Sequence, residues 1–195
     1  IPINLRGQAM AAFVVSNDTG AATLFRQLST TLSFELVQLA VLGTGALRDA
    51  KAVKFLEQVM DASSLSVRHA ACMALVAIGT NESLESVAHT LLNGDEDIRR
   101  AAGEALANDP HEGHAMLRDG IILSDILLRR AAVYGLGRID EPWAIEILKK
   151  AQIEDEQWIV RNAATEVLDS KLHISSRAPR KLKAPSESPW LIEFA

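Results

Sequence analysis

Apolar residues recur along this chain with the period of a helix, and the helices recur with a period of their own. Val67, Ala70, Ala71, Ala74, Leu75 and Ile78 fall at i, i+3, i+4, i+7, i+8 and i+11. That spacing lays one stripe along a helix of 3.6 residues per turn. Leu128, Ala131, Ala132, Gly135, Leu136 and Ile139 repeat it. Ile98, Ala101, Ala102, Ala105 and Leu106 repeat most of it, as do Val160, Ala163, Ala164, Val167 and Leu168. Each stripe opens on an aliphatic residue followed by arginine. Arg68, Arg99, Arg129 and Arg161 step by 31 (99−68), 30 (129−99) and 32 (161−129) residues. A fixed step of this length marks a stack of supersecondary units, none of which can bury its apolar face alone.

Each of these first helices ends at a break: Gly79-Thr80-Asn81, Asn108-Asp109-Pro110 and Asp140-Glu141-Pro142. A shorter second helix follows, as at Val87 to Leu92 or Trp143 to Ala151. An acidic turn leads to the next copy, as at Asp95-Glu96-Asp97 and Glu154-Asp155-Glu156. Carboxylates suit that place because they cap and complement the positive end of the coming helix. Upstream the pattern is weaker. Leu5-Arg6 with Ala9, Ala12 and Phe13 gives a first helix, and Ala22 to Leu28 its partner. Phe34 to Leu42, closed by Gly43, gives another first helix, with Ala50 to Met60 as its second. Residues 160 to 170 begin a sixth unit without a second helix.

Small residues at the centre of each stripe let neighbouring helices approach closely. Ala71, Ala102, Ala132 and Ala164 are therefore expected to be buried at helix–helix contacts. The column Arg6, Arg68, Arg99, Arg129 and Arg161 reads as a structural ladder, one arginine per repeat reaching from turn to turn. A phosphate-binding stripe is the weaker reading, since acidic turns offset the charge.

These residues carry a resemblance. Val-Arg-x-Ala-Ala, followed by Ala-Leu, Ile-Gly and a second apolar helix, resembles the HEAT repeat, above all the short HEAT-like repeat of phycobilisome lyases. The likeness runs over residues 5 to 170. It implies an all-α, right-handed superhelical solenoid of about six stacked hairpins, armadillo-like, with the second helices lining a concave face. Such repeats serve many unrelated tasks, so the likeness speaks for fold and little for function. The solenoid is assigned to residues 1–174 and a proline-rich basic tail to 175–195. Pro179, Pro185 and Pro189, mixed with Arg177, Arg180, Lys181 and Lys183, oppose helix. The tail closes on Trp190-Leu191-Ile192-Glu193-Phe194. This apolar group is expected to fold back on the sixth unit, whose Val160, Val167 and Leu168 need a cover, unless downstream sequence caps it.

Composition narrows the function. The net charge of −5 and sequence pI near 5.6 argue against nucleic acid as the partner. Hydrophobic residues reach 48%, but aromatics only 5%, and the longest apolar runs are too short to cross a membrane. Cys72 stands alone, so no intrachain disulfide forms and a cytoplasmic location is expected. The chain opens Ile1-Pro2-Ile3 and reads as part of a longer protein.

No catalytic, metal or cofactor site is expected. His111-Glu112-Gly113-His114 spaces its histidines at i and i+3, unlike the i and i+4 of a zinc-protease helix, and reads as a solvated helix terminus. Val67-Arg68-His69 resembles the start of a His-Glu pair of the iron-binding deoxyhypusine hydroxylases, themselves HEAT-like. Ala70 follows it, however, and Arg100-Ala101, Arg130-Ala131 and Asn162-Ala163 hold the matching places. The bridging carboxylates are missing, and that activity is not expected. Cys72 reads as a packing residue, and Tyr134 and Trp143 as packing and contact residues.

The leading reading is a non-enzymatic scaffold that binds a protein partner. The outward positions of the second helices carry it: Lys51, Lys54, Phe55, Gln58, Glu85, His89, Trp143, Glu146, Lys149 and Lys150. Aromatic and long charged side chains make anchor and rim groups. A lyase or chaperone subunit acting on a tetrapyrrole-bearing protein is the alternative. A structural spacer in a larger polypeptide is the third reading.

Overall fold

The computed structural model describes residues 9, 11–12, 14–15, 20–28, 34–61 and 64–176, with backbone only for Phe34 and residues 172–176. The first-unit positions Leu5, Arg6 and Phe13, and the tail from residue 177, lie outside the described residues. Residues 9, 11–12 and 14–15 are helical. From residue 20 onward the described residues form ten α-helices and no strand. They are α1 (Ala21–Leu28), α2 (Phe34–Ala46), α3 (Val53–Met60), α4 (Leu65–Ile78), α5 (Asn81–Asn93), α6 (Glu96–Leu106), α7 (Glu112–Gly120), α8 (Ile126–Leu136), α9 (Pro142–Glu154) and α10 (Trp158–Ser176). A 3-10 turn, Ala50–Ala52, leads into α3. The molecule is an α-solenoid of stacked helical hairpins, and the repeat pattern of the sequence supplies its register.

Local chemistry sets the ends. Gly79 closes α4 in the left-handed region, at φ 69°, where an L side chain would be strained. Thr80 then opens α5 in a reciprocal capping box with Ser83. The box starts this helix six residues before the apolar run at Val87 that suggested it. Asp95 accepts from the Ile98 amide, and Asp125 from those of Leu127 and Leu128, so the acidic turns do cap the next helix. Pro142 opens α9, where its missing N–H costs nothing. Gly43 does not end α2, contrary to its reading as a break. A Cβ there would stand 2.7 Å from the Phe25 ring. The glycine makes room for that fully buried side chain while the helix runs on to Ala46.

Two rows result. Helices α2, α4, α6, α8 and α10 pack on one another in sequence, and α1, α3, α5, α7 and α9 lie behind them. The four alanines at the stripe centres, Ala71, Ala102, Ala132 and Ala164, are fully buried as expected. Contact within this first row reaches the backbone. A Cβ on Gly103 would stand 2.5 Å from the Ala131 carbonyl oxygen, one on Gly135 2.5 Å from that of Gly103, and one on Gly45 2.6 Å from the Ala74 Cα. Successive helices of the second row touch only sparsely. The Ala and Gly column is the physical reason the first row packs so closely.

The arginine ladder is present and joins consecutive turns. Arg68 pairs with Asp95 at 2.6 Å, Arg99 with Asp125 at 2.7 Å, and Arg129 with Asp155 at 2.9 Å. The same side chains donate backward to carbonyls of their own turn: Arg99 to Gly94, Arg129 to Leu123 and Ser124, and Arg161 to Asp155 and Glu156. Arg99 and Arg129 thus each close one turn and hold an aspartate of the next.

At the far end, Val160 is fully buried and Leu168 nearly so, while Val167 lies against Gly137. The stripe thought to need a cover is consumed by α8 and α9. Outward from α10 stand Trp158, Asn162, Glu166 and Asp169, a polar stripe apart from the tryptophan. Lys171 ties this helix down through the Ile139 carbonyl at 2.9 Å and Asp140 at 2.7 Å.

Candidate functional site

Trp143 is a half-buried aromatic side chain of the second row, packed on one side against the core. Its place follows from Pro142 as the first residue of α9, which aims position 143 across the gap to α7. The Arg118 guanidinium of α7 lies over its ring at 4.2 Å from the centroid. The His114 ring stands 5.5 Å away, tilted by 56°. Glu146, Ile147 and Lys150, at i+3, i+4 and i+7 from Trp143, continue the same face. With Arg118 and Trp143 they line an open groove of about 540 Å³. The groove offers a half-buried indole flanked by cations on two sides and one carboxylate. Such a surface suits an extended or helical segment with an apolar anchor and mixed charge.

His114 is not a solvated terminus. It is half-buried, and its Nε2 lies 3.0 Å from the Ala107 carbonyl. His111 is exposed at the N-cap of α7. The pair therefore faces different surroundings.

A second groove, of about 500 Å³, opens between α3, α5 and the turn into α6. His89 lines it together with Glu57, Arg68 and Asp95. Three of its charged groups already have partners. Glu57 accepts from the Ser86 hydroxyl at 2.7 Å, and Arg68 and Asp95 form a ladder rung.

The structure thus divides the sequence-derived candidates. Trp143, Glu146 and Lys150 meet in the first groove, and His89 lies in the second. Lys51, Lys54, Gln58, Glu85 and Lys149 are exposed outside both, and Phe55 is half-buried against the core. Arg118 is a member that sequence reading missed. Its only signal was its place one turn after His114, on a helix whose partner face was unknown.

The first row carries a polar network of its own. Glu104, almost buried, accepts from Arg100 at 3.0 Å and from Arg138 at 2.9 Å. Burial pushes its carboxyl up, but the two arginines outweigh that and hold it below the usual carboxylate range. Arg100 lies 3.9 Å over the Tyr134 ring, and Arg130 reaches both Glu96 and the Tyr134 hydroxyl. Every charge here answers another, so this face is a cross-brace between α6 and α8.

Cys72 is fully buried, and burial pushes its thiol up to about 12. A thiol so protonated is a poor nucleophile. Among the described residues no group of three or more His, Cys, Asp or Glu side chains is placed to hold a metal. Among them, too, no helix is long and apolar enough to cross a membrane.

Comparison with known proteins agrees with this geometry. The family described as HEAT repeats matches residues 21–107. The PBS lyase HEAT-like repeat matches residues 128–154, the hairpin of α8 and α9 that holds Trp143. No curated protein matches the chain. Among solved structures, human deoxyhypusine hydroxylase in complex with glycerol is similar over 87% of this chain and 68% of its own, at 21% identity and a TM-score of 0.43. At that level the likeness says nothing about activity.

Proposed function

The chain is a HEAT-repeat protein, and from that premise we propose that it is a non-catalytic scaffold that binds a protein partner through its second row of helices. The observation that carries this reading is the α7–α9 groove, where Trp143 stands half-exposed between Arg118 and His114. A rigid solenoid needs no motion to present such an anchor, so little ordering entropy opposes binding. Tryptophan and arginine in one pocket are the residue types that dominate interface energetics. Glu146 and Lys150 at the rim add register rather than affinity. The buried, protonated Cys72 speaks against a thiol-based lyase reaction.

The test is affinity capture with the wild-type chain from its source cells, followed by mass spectrometry, with Trp143→Ala and Lys54→Ala run in parallel. A partner that is retained by Lys54→Ala and lost with Trp143→Ala fits the proposal. Truncating an anchor of this kind weakens binding by about 2–4 kcal/mol, which is enough to empty the column. Equal recovery with both variants would place the interface elsewhere.

A further inference from the structure

Among the described residues three arginines lie against an aromatic ring, and two of them complete the contact with a carboxylate. Arg100 stands 3.9 Å over the centre of the Tyr134 ring and donates its Nε–H to Glu104 at 3.0 Å. Arg130 approaches the same ring at 5.6 Å and pairs with Glu96. A guanidinium sets its flat face on a ring, while its five N–H donors lie in its own plane and stay available to a carboxylate. Arg118 has the first half of this arrangement. It lies 4.2 Å over the Trp143 ring. Among the described residues no carboxylate or carbonyl takes its N–H groups. Its neighbour Asp119 and the groove residue Glu146 are both exposed, and neither pairs with it. The indole thus holds a cation with unused donors in the wall of the groove.

We propose that the protein segment bound in the α7–α9 groove seats an aspartate or glutamate side chain on Arg118, in the plane of the guanidinium above Trp143. The inference rests on the groove being the interface and adds the chemistry of what enters it. Stacking on the indole already restrains Arg118, so less ordering entropy opposes the new pair. Charge defines the rest of the segment. Glu146 lines the same groove with no cationic partner among the described residues, while Lys150 reaches Glu154 at 3.9 Å. The carboxylate that meets Arg118 is therefore best accompanied by a lysine or arginine for Glu146 and an apolar residue for the surface of Trp143 and Ile147. A nucleic-acid backbone does not fit this pattern, because its run of phosphates would face Glu146 and Asp119 as well as Arg118. Helices α7 and α9 end at the edge of the stack where Ile122, Ile153 and Trp158 are exposed, with Leu65 and Leu92 at two earlier turns of that edge. Those side chains offer further apolar contact but select no partner by themselves.

The experiment selects a random peptide library displayed on phage against the full chain and measures each enriched peptide by fluorescence anisotropy. The peptides are fused at their C-termini, so every carboxylate on offer is a side chain. Binders are assigned to the groove by their loss with Trp143→Ala and with Glu146→Lys, the second at an exposed residue where folding is not at stake. The expected groove binders carry aspartate or glutamate close to a large apolar residue and weaken about ten- to a hundredfold with Arg118→Gln. Arg118→Lys keeps the charge without the flat fork and should recover only part of that loss. Selection against Arg118→Glu should exchange the acidic position for lysine or arginine. Arg118 is exposed, so these variants should melt as the wild type does, which separates loss of the contact from loss of the fold. Groove binders that are indifferent to Arg118→Gln would overturn the inference and leave the groove as the interface. A library that yields no groove binder at all would overturn both.

Discussion

Replacing Gly135 by alanine should destabilise the protein, although the substitution improves helix propensity. Gly135 lies within α8, where alanine is favoured over glycine by about 1 kcal/mol. Propensity alone therefore predicts a more stable chain. The packing predicts the reverse. The added Cβ would stand 2.5 Å from the Gly103 carbonyl oxygen, 2.6 Å from Leu117 Cδ2 and 2.9 Å from the Gly103 carbonyl carbon. The Leu117 side chain is buried and cannot swing away, and the other two atoms are backbone of α6. Relief requires α6 and α8 to separate by about half an ångström where their backbones meet. Overpacking of this kind costs about 1–3 kcal/mol net. For a chain of this size each kcal/mol moves Tm by about 2–4 °C, so a fall of about 4–8 °C is expected at the middle of that range. Gly120 is the matched control. It also ends buried in a helix, but a Cβ there would meet Ala132 Cβ at 3.5 Å, an ordinary contact. Gly120→Ala should be neutral or raise Tm slightly. Thermal melts followed by circular dichroism separate the two. A Gly135→Ala protein as stable as wild type would refute the backbone contact between α6 and α8, and with it the assignment of the tight row.

Three further outcomes follow from the same geometry. Arg129→Met should cost about 3 kcal/mol, because its partner Asp155 is left largely buried, whereas Arg68→Met, whose partner Asp95 is mostly exposed, should cost under about 1 kcal/mol; urea titrations giving equal losses would contradict the difference in burial. Asp95 is held below the usual carboxylate range by the Ile98 amide and Arg68, Asp125 by Arg99, and Asp140 by Lys171. Their folded pKa values lie below the unfolded value near 3.9, so their contribution is complete above about pH 5 and is lost as pH falls through 4; Tm should fall across that window, less steeply in Asp95→Asn, Asp125→Asn, and a Tm that rises on acidification would contradict the sign. Cys72 should stay unmodified by iodoacetamide at pH 8 until the chain unfolds, and rapid alkylation of native protein, read by mass spectrometry, would contradict its burial.

The parts of the fold that repeat were legible in the sequence because each copy restates the rule. Four alanines in one column, four arginines in the next and an acidic turn ahead of three of them, Arg99, Arg129 and Arg161, identified the buried stripe, the ladder and the caps, and these stand where they were expected among the described residues. Single features were misread where a tertiary neighbour decides the meaning. Gly43 looked like a helix end because nothing nearby in sequence shows the Phe25 ring it accommodates. The groove was half legible: Trp143, Glu146 and Lys150 share a helix face by spacing alone, but Arg118 joins them only across the α7–α9 gap.

The apolar edge was hidden because it is a property of the stack, not of any helix within it. Leu65, Leu92, Ile122 and Ile153 belong to four different turns, and singly each is an unremarkable surface residue. Stacking at a period near 31 residues brings them to one side, and the arginine ladder holds the turns in line. The ladder therefore does more than brace the array. By fixing the turns in register, it brings scattered apolar residues to one edge of the stack. Loss of the Arg129–Asp155 rung should loosen that edge beside Trp158 before it unfolds the helices behind it.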